Sequence, residues 1–163
     1  METGLNRLDV ASLVDEESVS YLFFSMGKEI FGFPLGYVTE IVKPMPITTV
    51  PRSPQFVEGV INLRGKVLAV LQMRKMFGLP PVDLTDDSRF IVIQLQGFEA
   101  AIIVDSVSEV NKIESKNVEP APLVVAGVEG KYLSGIAKQE EALLLLLDLP
   151  TIFAPWVHET PQP

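Results

Sequence analysis

The chain reads as an all-β protein made of two similar small halves, and three observations point there. Its apolar runs are short, rich in Val, Ile and Phe, and bounded by Gly, Pro, Asn and Asp, which is the punctuation of strands. Pairs of such runs flank short polar stretches in the manner of hairpins. The order of these pieces then recurs further along the chain. Few segments look helical.

Residues 1–17 are polar and acidic, with Leu5, Leu8 and Leu13 scattered among them, and read as an N-terminal arm. Residues 21–25 and 30–33 flank Met26-Gly27-Lys28-Glu29 as a first hairpin. Pro51-Arg52-Ser53-Pro54 cannot continue a helix and reads as a sharp bend. Residues 60–63 and 67–71 flank Arg64-Gly65-Lys66 as a second hairpin, and residues 73–77 have room for about one helical turn. Residues 90–95 and 100–104 flank Gln96-Gly97-Phe98-Glu99 as a third. Residues 133–137 and 142–147 flank Lys138-Gln139-Glu140-Glu141 as a fourth. The run 143–147 is apolar on both strand faces, so one face needs the cover of its own barrel and the other that of the sister half. Asp148 is placed to cap a terminal turn over Pro150, Ile152 and Phe153. The last ten residues, APWVHETPQP, hold three prolines and read as a tail over 154–163.

The repeat is explicit. SYLFFSMGKEIFGFPLGYVTEIVK resembles SRFIVIQLQGFEAAIIVDSVSEVNK, with Ser20 on Ser88, Gly27 on Gly97, and Val38-Thr39-Glu40-Ile41 on Val107-Ser108-Glu109-Val110. GVINLRGKVLAVLQM lies over GIAKQEEALLLLLDL without a gap, from Gly59 on Gly135 to Met73 on Leu149. Two halves, 18–84 and 85–153, then share one topology as barrels set side by side. A groove along their seam is the expected place for a ligand or partner.

Composition removes several function classes. At 163 residues the chain buries roughly two thirds of its unfolded surface, enough for its own core. It is 47% hydrophobic, with a mean hydropathy of +0.30. Its longest apolar run, 142–147, is far short of the ~20 residues of a spanning helix. No membrane insertion is expected, and METGLNRLDV has no signal-peptide pattern. The absence of cysteine removes disulfides, a thiol nucleophile and a zinc cluster, and suits a reducing cytoplasm. A net charge of −8 opposes nucleic-acid binding, which needs a basic face.

The search for chemistry is brief. The single histidine, His158, falls in the proline-rich tail, where nothing rigid holds it as a base. Glu40, Asp105, Glu109 and Asp148 are candidate carboxylates for acid–base work. The simpler reading has Glu40 and Glu109 facing solvent on strands and Asp105 ending one. No phosphate-cradling glycine loop or metal-binding pattern occurs, so neither cofactor nor metal is expected. Arg64 stands out because its counterpart in the repeat is Glu140, so the turn does not demand a positive charge. It either makes a salt bridge to Glu58 or Glu40, or offers its five donors to a partner. Val38 is open to two readings as well, as a core residue or as an apolar contact.

The motif GVINLRG, preceded by Val38-Thr39-Glu40-Ile41, Val50-Pro51 and Pro54, and followed by Phe77-Gly78, SRFIVI, IIVDSVSEV and LLLLLDL, resembles the CheW family of chemotaxis coupling proteins over residues 18–153. It departs from that family at Ala69, where proline is usual, and at Gln72-Met73-Arg74 in place of Asp-Leu-Arg. The resemblance implies two five-stranded, SH3-like β-barrel halves and no enzymatic activity. It implies a cytoplasmic adaptor at membrane-associated receptor arrays. Such an adaptor joins the cytoplasmic hairpin tip of a chemoreceptor to the regulatory domain of the histidine kinase CheA. It places Val38, Arg64, Phe90 and Val107 around a receptor-binding groove, with Asn62-Leu63-Arg64-Gly65 as the signature turn. The kinase would be met by apolar residues at the barrel ends. A pilus or other non-flagellar pathway fits the same resemblance. A β-barrel nucleic-acid-binding module is the alternative of another class.

Overall fold

The computed structural model describes residues 18–158, and all four expected hairpins are formed within them. Strands β1 (Ser18–Met26) and β2 (Glu29–Pro34) make the first. A 3₁₀ turn, Leu35–Tyr37, leads to β3 (Val38–Val42). The second hairpin is β4 (Val57–Leu63) with β5 (Lys66–Gln72), followed by the single turn α1 (Met73–Met76). The third is β6 (Arg89–Leu95) with β7 (Phe98–Val104), and β8 (Ser106–Glu114) follows directly. Three two-residue strands come next: β9 (Val118–Glu119), β10 (Val124–Val125) and β11 (Val128–Glu129). The fourth hairpin is β12 (Leu133–Gln139) with β13 (Ala142–Leu147), and the described chain closes on α2 (Leu149–His158).

Asp148 caps α2 as the sequence suggests, its Oδ1 accepting from the Thr151 N–H at 3.1 Å. The helix does not stop after one turn, however. It continues through Pro155 into the stretch read as a tail, because Trp156 packs edge-on against Phe56, with ring centroids 5.1 Å apart, and also against Phe153. That tertiary packing outweighs the hydrogen bond a proline forfeits inside a helix. The N-terminal arm, 1–17, and residues 159–163 lie outside the described residues.

Two sheets carry the fold. One has six strands in the order β9-β12-β13-β2-β1-β8, the other five in the order β3-β6-β7-β5-β4. Read from its β8 edge, the first runs β8-β1-β2-β13-β12-β9, and the second matches it strand for strand. Where the first has β9 against β12, the second has Thr48 bridging to Val60 on β4. Registers agree as well. Val38 faces Ile93 and Val107 faces Phe24, each followed by a one-residue slip, at Thr39 and Ser108. β5 lies parallel to β7 with Ala69 opposite Ala100, and β13 lies parallel to β2 with Leu145 opposite Phe31. Pairing also corrects the turn alignment by one residue. Gly27 follows the Met26–Glu29 pair as Gln96, not Gly97, follows the Leu95–Phe98 pair.

The sequence repeat divides near residue 84, but the strand pairing does not. Each sheet combines the first hairpin of one repeat with the later strands of the other. Strands β3 to β7, residues 38–104, form the five-stranded sheet, and β1 and β2 join β8, β9, β12 and β13 in the six-stranded one. Short links impose this exchange. In either sheet the third element runs in the same direction as the end of the hairpin, and returning to start such a strand takes a dozen or more residues. The chain has only Leu35–Tyr37 after β2 and only Asp105 after β7, so it goes forward into the opposite barrel.

The core follows the same plan. Ile61, Leu68, Val70, Phe90, Val92, Ala101 and Ile103 fill the inside of the five-stranded barrel. Tyr21, Phe23, Ile113, Ala137, Leu144 and Leu146 fill the other. A larger shared cluster lies between them, with Phe24, Phe31, Ile91, Ile93, Ile102, Leu145, Leu147 and Phe153 among its members. β13 thus buries Leu144 and Leu146 in its own barrel and Leu145 and Leu147 against the sister barrel, as the doubly apolar run required. Each such leucine contributes about 2 kcal/mol.

Candidate functional site

The β4–β5 hairpin closes through Arg64 and Gly65, whose φ angles of 53° and 88° are those of a two-residue type I′ turn. Gly65 adopts that conformation without strain; Arg64 takes it with a side chain attached. Asn62 supports the turn by accepting the Gly65 N–H on its Oδ1 at 2.8 Å. The equivalent residue of the other barrel, Glu140, has a φ of 55°. The backbone of this corner is therefore common to both repeats, and the sign of its charge is not.

Of the two partners the sequence offers Arg64, the structure selects Glu40. The guanidinium Nη2 donates to Glu40 Oε2, while Glu58 is held by Lys75 Nζ at 3.0 Å. Glu40 lies on β3, one edge of the five-stranded sheet, and Arg64 leads out of β4, the other edge. The ion pair thus spans the mouth of the barrel. Lys66 adds a second pair beside it, between the neighbouring strands β5 and β7, its Nζ donating to Glu99 Oε1 at 2.9 Å. A groove lined by Thr39, Glu40, Leu63, Arg64, Lys66 and Val92, among others, opens there. The Arg64 side chain stays 67% exposed, so the bridge stabilises the fold by at most about 1 kcal/mol and leaves most of the guanidinium facing outward.

The other barrel has the same mouth with different contents. Phe23, Ile30, Glu109, Glu140, Ala142 and Leu144 line it, and among the described residues no lysine or arginine does. Both basic groups are thus additions to a mouth that the fold builds without them.

Val38 and Val107 are equivalent, each just before the slip in its strand, and both are half-buried against the shared core at the seam. Val38 precedes Glu40 by two residues, but the slip at Thr39 separates their faces. Val38 packs on the shared core opposite Ile93, while Glu40 stands opposite Val92 at the mouth. Phe90 does not join them. It is completely buried inside the five-stranded barrel, opposite Val42, and can shape the groove only from behind. Sequence reasoning passed over Ile41 and Val110. They sit at matching positions on the edge strands β3 and β8 and are 40% and 54% exposed. The Val-x-Glu-Ile and Val-x-Glu-Val repeat was the signal for them.

The carboxylates proposed for acid–base work have other tasks. Glu40 holds Arg64, Asp148 caps α2, and Asp105 accepts from Arg74. Glu109 is exposed and receives a long bond, 3.4 Å, from Asn111 Nδ2. His158 ends α2, at the opposite end of that helix from Asp148. Among the described residues, no group of three or more His, Asp or Glu could hold a metal ion, and no helix is long and apolar enough to cross a membrane.

Comparison with known proteins agrees with this architecture. A family model described as the CheW-like domain matches residues 20–155. A chemotaxis protein CheW of Bacillus subtilis is 35% identical over 127 residues, covering 78% of this chain and 81% of that protein. One of Treponema pallidum is 27% identical over 154 residues, covering 92% and 91%. The crystal structure of the scaffolding protein TtCheW from Thermoanaerobacter tengcongensis superposes with a TM-score of 0.76 at 36% identity, covering 83% of this chain and 87% of that one.

Proposed function

The chain belongs to the CheW family, and from that premise we propose that it joins the cytoplasmic hairpin tip of a chemoreceptor to the regulatory domain of the histidine kinase CheA, in the cytoplasm at receptor arrays. The family consists of scaffold proteins, and the chain is not an enzyme. The observation that carries the reading is Arg64. It is exposed, held in place by Glu40, and has an acidic residue as its counterpart in the otherwise matching barrel. A charge that the fold does not need is best explained by something it meets.

In this reading Val38 and Val107 offer apolar contacts at the seam to a helical partner, and Arg64 satisfies polar groups at the rim. Phe90 backs the wall from inside. The adaptor works by geometry. Two modest interfaces on one rigid body raise the effective concentration of kinase at receptor, and an array of such contacts tightens the whole. Arg64, Lys66 and Arg74 are each paired with a carboxylate, which leaves the nucleic-acid reading without support from these groups.

Reconstitution with a receptor fragment and the kinase tests the proposal. Wild type is expected to enter a ternary complex and change kinase activity. Arg64→Ala should weaken receptor binding about thirtyfold, roughly 2 kcal/mol, while lowering folding stability by no more than about 1 kcal/mol. Failure of wild type to bind either partner sinks the adaptor reading. If instead binding by Arg64→Ala declines only in step with unfolding, the arginine is structural.

A further inference from the structure

The chain crosses between the barrels at two points, the Leu35–Tyr37 turn and Asp105, and among the described residues only the second is fastened by charge. Arg74, in α1 behind the five-stranded sheet, is buried, with its side chain 9% exposed. Its Nε and Nη2 donate to the two Asp105 carboxylate oxygens at 3.3 and 2.6 Å. Its Nη1 donates to the Pro80 carbonyl at 2.6 Å, and its own carbonyl receives the Leu79 N–H at 2.7 Å. Asp105 is held from the opposite barrel as well. The N–H of Gly27, in the β1–β2 turn, donates to its Oδ2 at 2.7 Å, and the Asp105 N–H donates to the Ser25 carbonyl at 3.1 Å. The Ser25 and Ser106 hydroxyls bond to each other at 2.7 Å.

At the corresponding places of the other repeat stand Gly36 for Asp105 and Pro150 for Arg74. Neither can form an ion pair. The near-twofold arrangement of strands is therefore broken at this point, where a rigid fork ties one barrel to the crossover strand and the crossover strand to the other barrel. Two parallel bonds fix orientation as well as distance, which a single contact does not.

We propose that Arg74, acting through Asp105 and Gly27, is the fastening that sets the angle between the two barrels and holds them as one body at this end of the seam. The inference goes beyond the adaptor reading and does not depend on it.

The chain has no cysteine, so a pair of introduced cysteines can carry spin labels cleanly. Lys28, on the β1–β2 turn, and Val67, on β5, are both exposed and lie on opposite barrels. Pulsed dipolar spectroscopy on the full chain labelled there should give one narrow distance. Asp105→Asn, which keeps the shape and can still accept from Gly27, should broaden that distribution while circular dichroism shows the sheets intact. Arg74→Lys, which keeps charge but not the fork, should fall between the two. Distributions unchanged from wild type in both variants, with only a lower melting temperature, would overturn the proposal and leave a pair that merely stabilises. The Arg74→Lys variant decides the matter if Asp105→Asn does not fold.

Discussion

Arg64 and Glu140 occupy one corner of the fold with one backbone conformation, and only the arginine has a carboxylate across the mouth to hold it. The gapless overlay of the two hairpin sequences makes that comparison legible, because it places the two residues on each other before any coordinate is known. Which carboxylate answers Arg64 is less legible. Glu58 is nearer in sequence, and Glu40 wins only because β3 and β4 are the two edges that the barrel brings round to face each other. Phe90 shows the reverse difficulty. A phenylalanine in an alternating strand has two faces to choose from, and the pattern of β6 fits either until the shared core is known to claim Ile91 and Ile93. At Asp105, burial by itself pushes the carboxyl up. The bonds from Arg74 and from the Gly27 N–H outweigh it and hold the group below its ordinary range. Its folded value thus lies below its unfolded value of about 4. The stability it contributes is complete above the unfolded value and is lost as pH falls through the folded one. Urea denaturation of wild type and Asp105→Asn between pH 7 and acid should show the gap between them closing in that acid window. Asp83 and Asp87 line the same depression, with Arg74 its one basic residue. Arg74→Ala should cost about 2–3 kcal/mol at neutral pH by the same measurement.

Among the elements, the hairpins were the readable part because each is local, with apolar alternation and a turn within a dozen residues. The glycines of β4 and β12 are a subtler shared device. Gly59 and Gly135 sit at equivalent irregularities in their strands. A Cβ on Gly59 would strike the Thr48 carbonyl, and one on Gly135 would come within 2.8 Å of the Glu119 carbonyl. The neighbouring segment can cross close over each barrel because these two positions lack a side chain. Gly59→Ala, which also needs a φ of 148°, should destabilise by about 2–3 kcal/mol, seen as a lower urea midpoint with an unchanged m-value. In β13, Leu144→Ala and Leu145→Ala should each cost about 2–5 kcal/mol. They empty opposite faces, so calorimetry of the double variant should give a nearly additive loss. What the sequence does not announce at this scale is the length of α2. Its continuation past Pro155 rests on Trp156 meeting Phe56, a contact between residues far apart in the chain that leaves no local trace. The two-residue strands β9 to β11 are too short to register as a pattern.

At the scale of the molecule, the repeat foretold two like barrels but not which strands each would own. The information was present in the links. Three residues after β2 and one after β7 cannot turn back along a strand, so the hairpin that begins each repeat must lodge in the other barrel. This gives a direct prediction for the expected boundary at residue 84. A protease site placed in the exposed stretch 81–87 and cut should yield two fragments that stay together in size-exclusion chromatography without denaturant, since each barrel keeps strands from both. Barrels built from consecutive halves would let the fragments part more readily.

The exchange also bears on how the molecule comes into being. A chain made from its N-terminus forms β1 and β2 early, yet their neighbours, β8 and β13, are supplied only after residue 105. Strands β3 to β7 arrive together and can close their barrel as residue 104 is added. The first hairpin synthesised is therefore the one that waits longest for its place. Its two apolar faces, one with Phe23 and the other with Phe24, Phe31 and Phe33, are the surfaces a growing chain must keep from going astray.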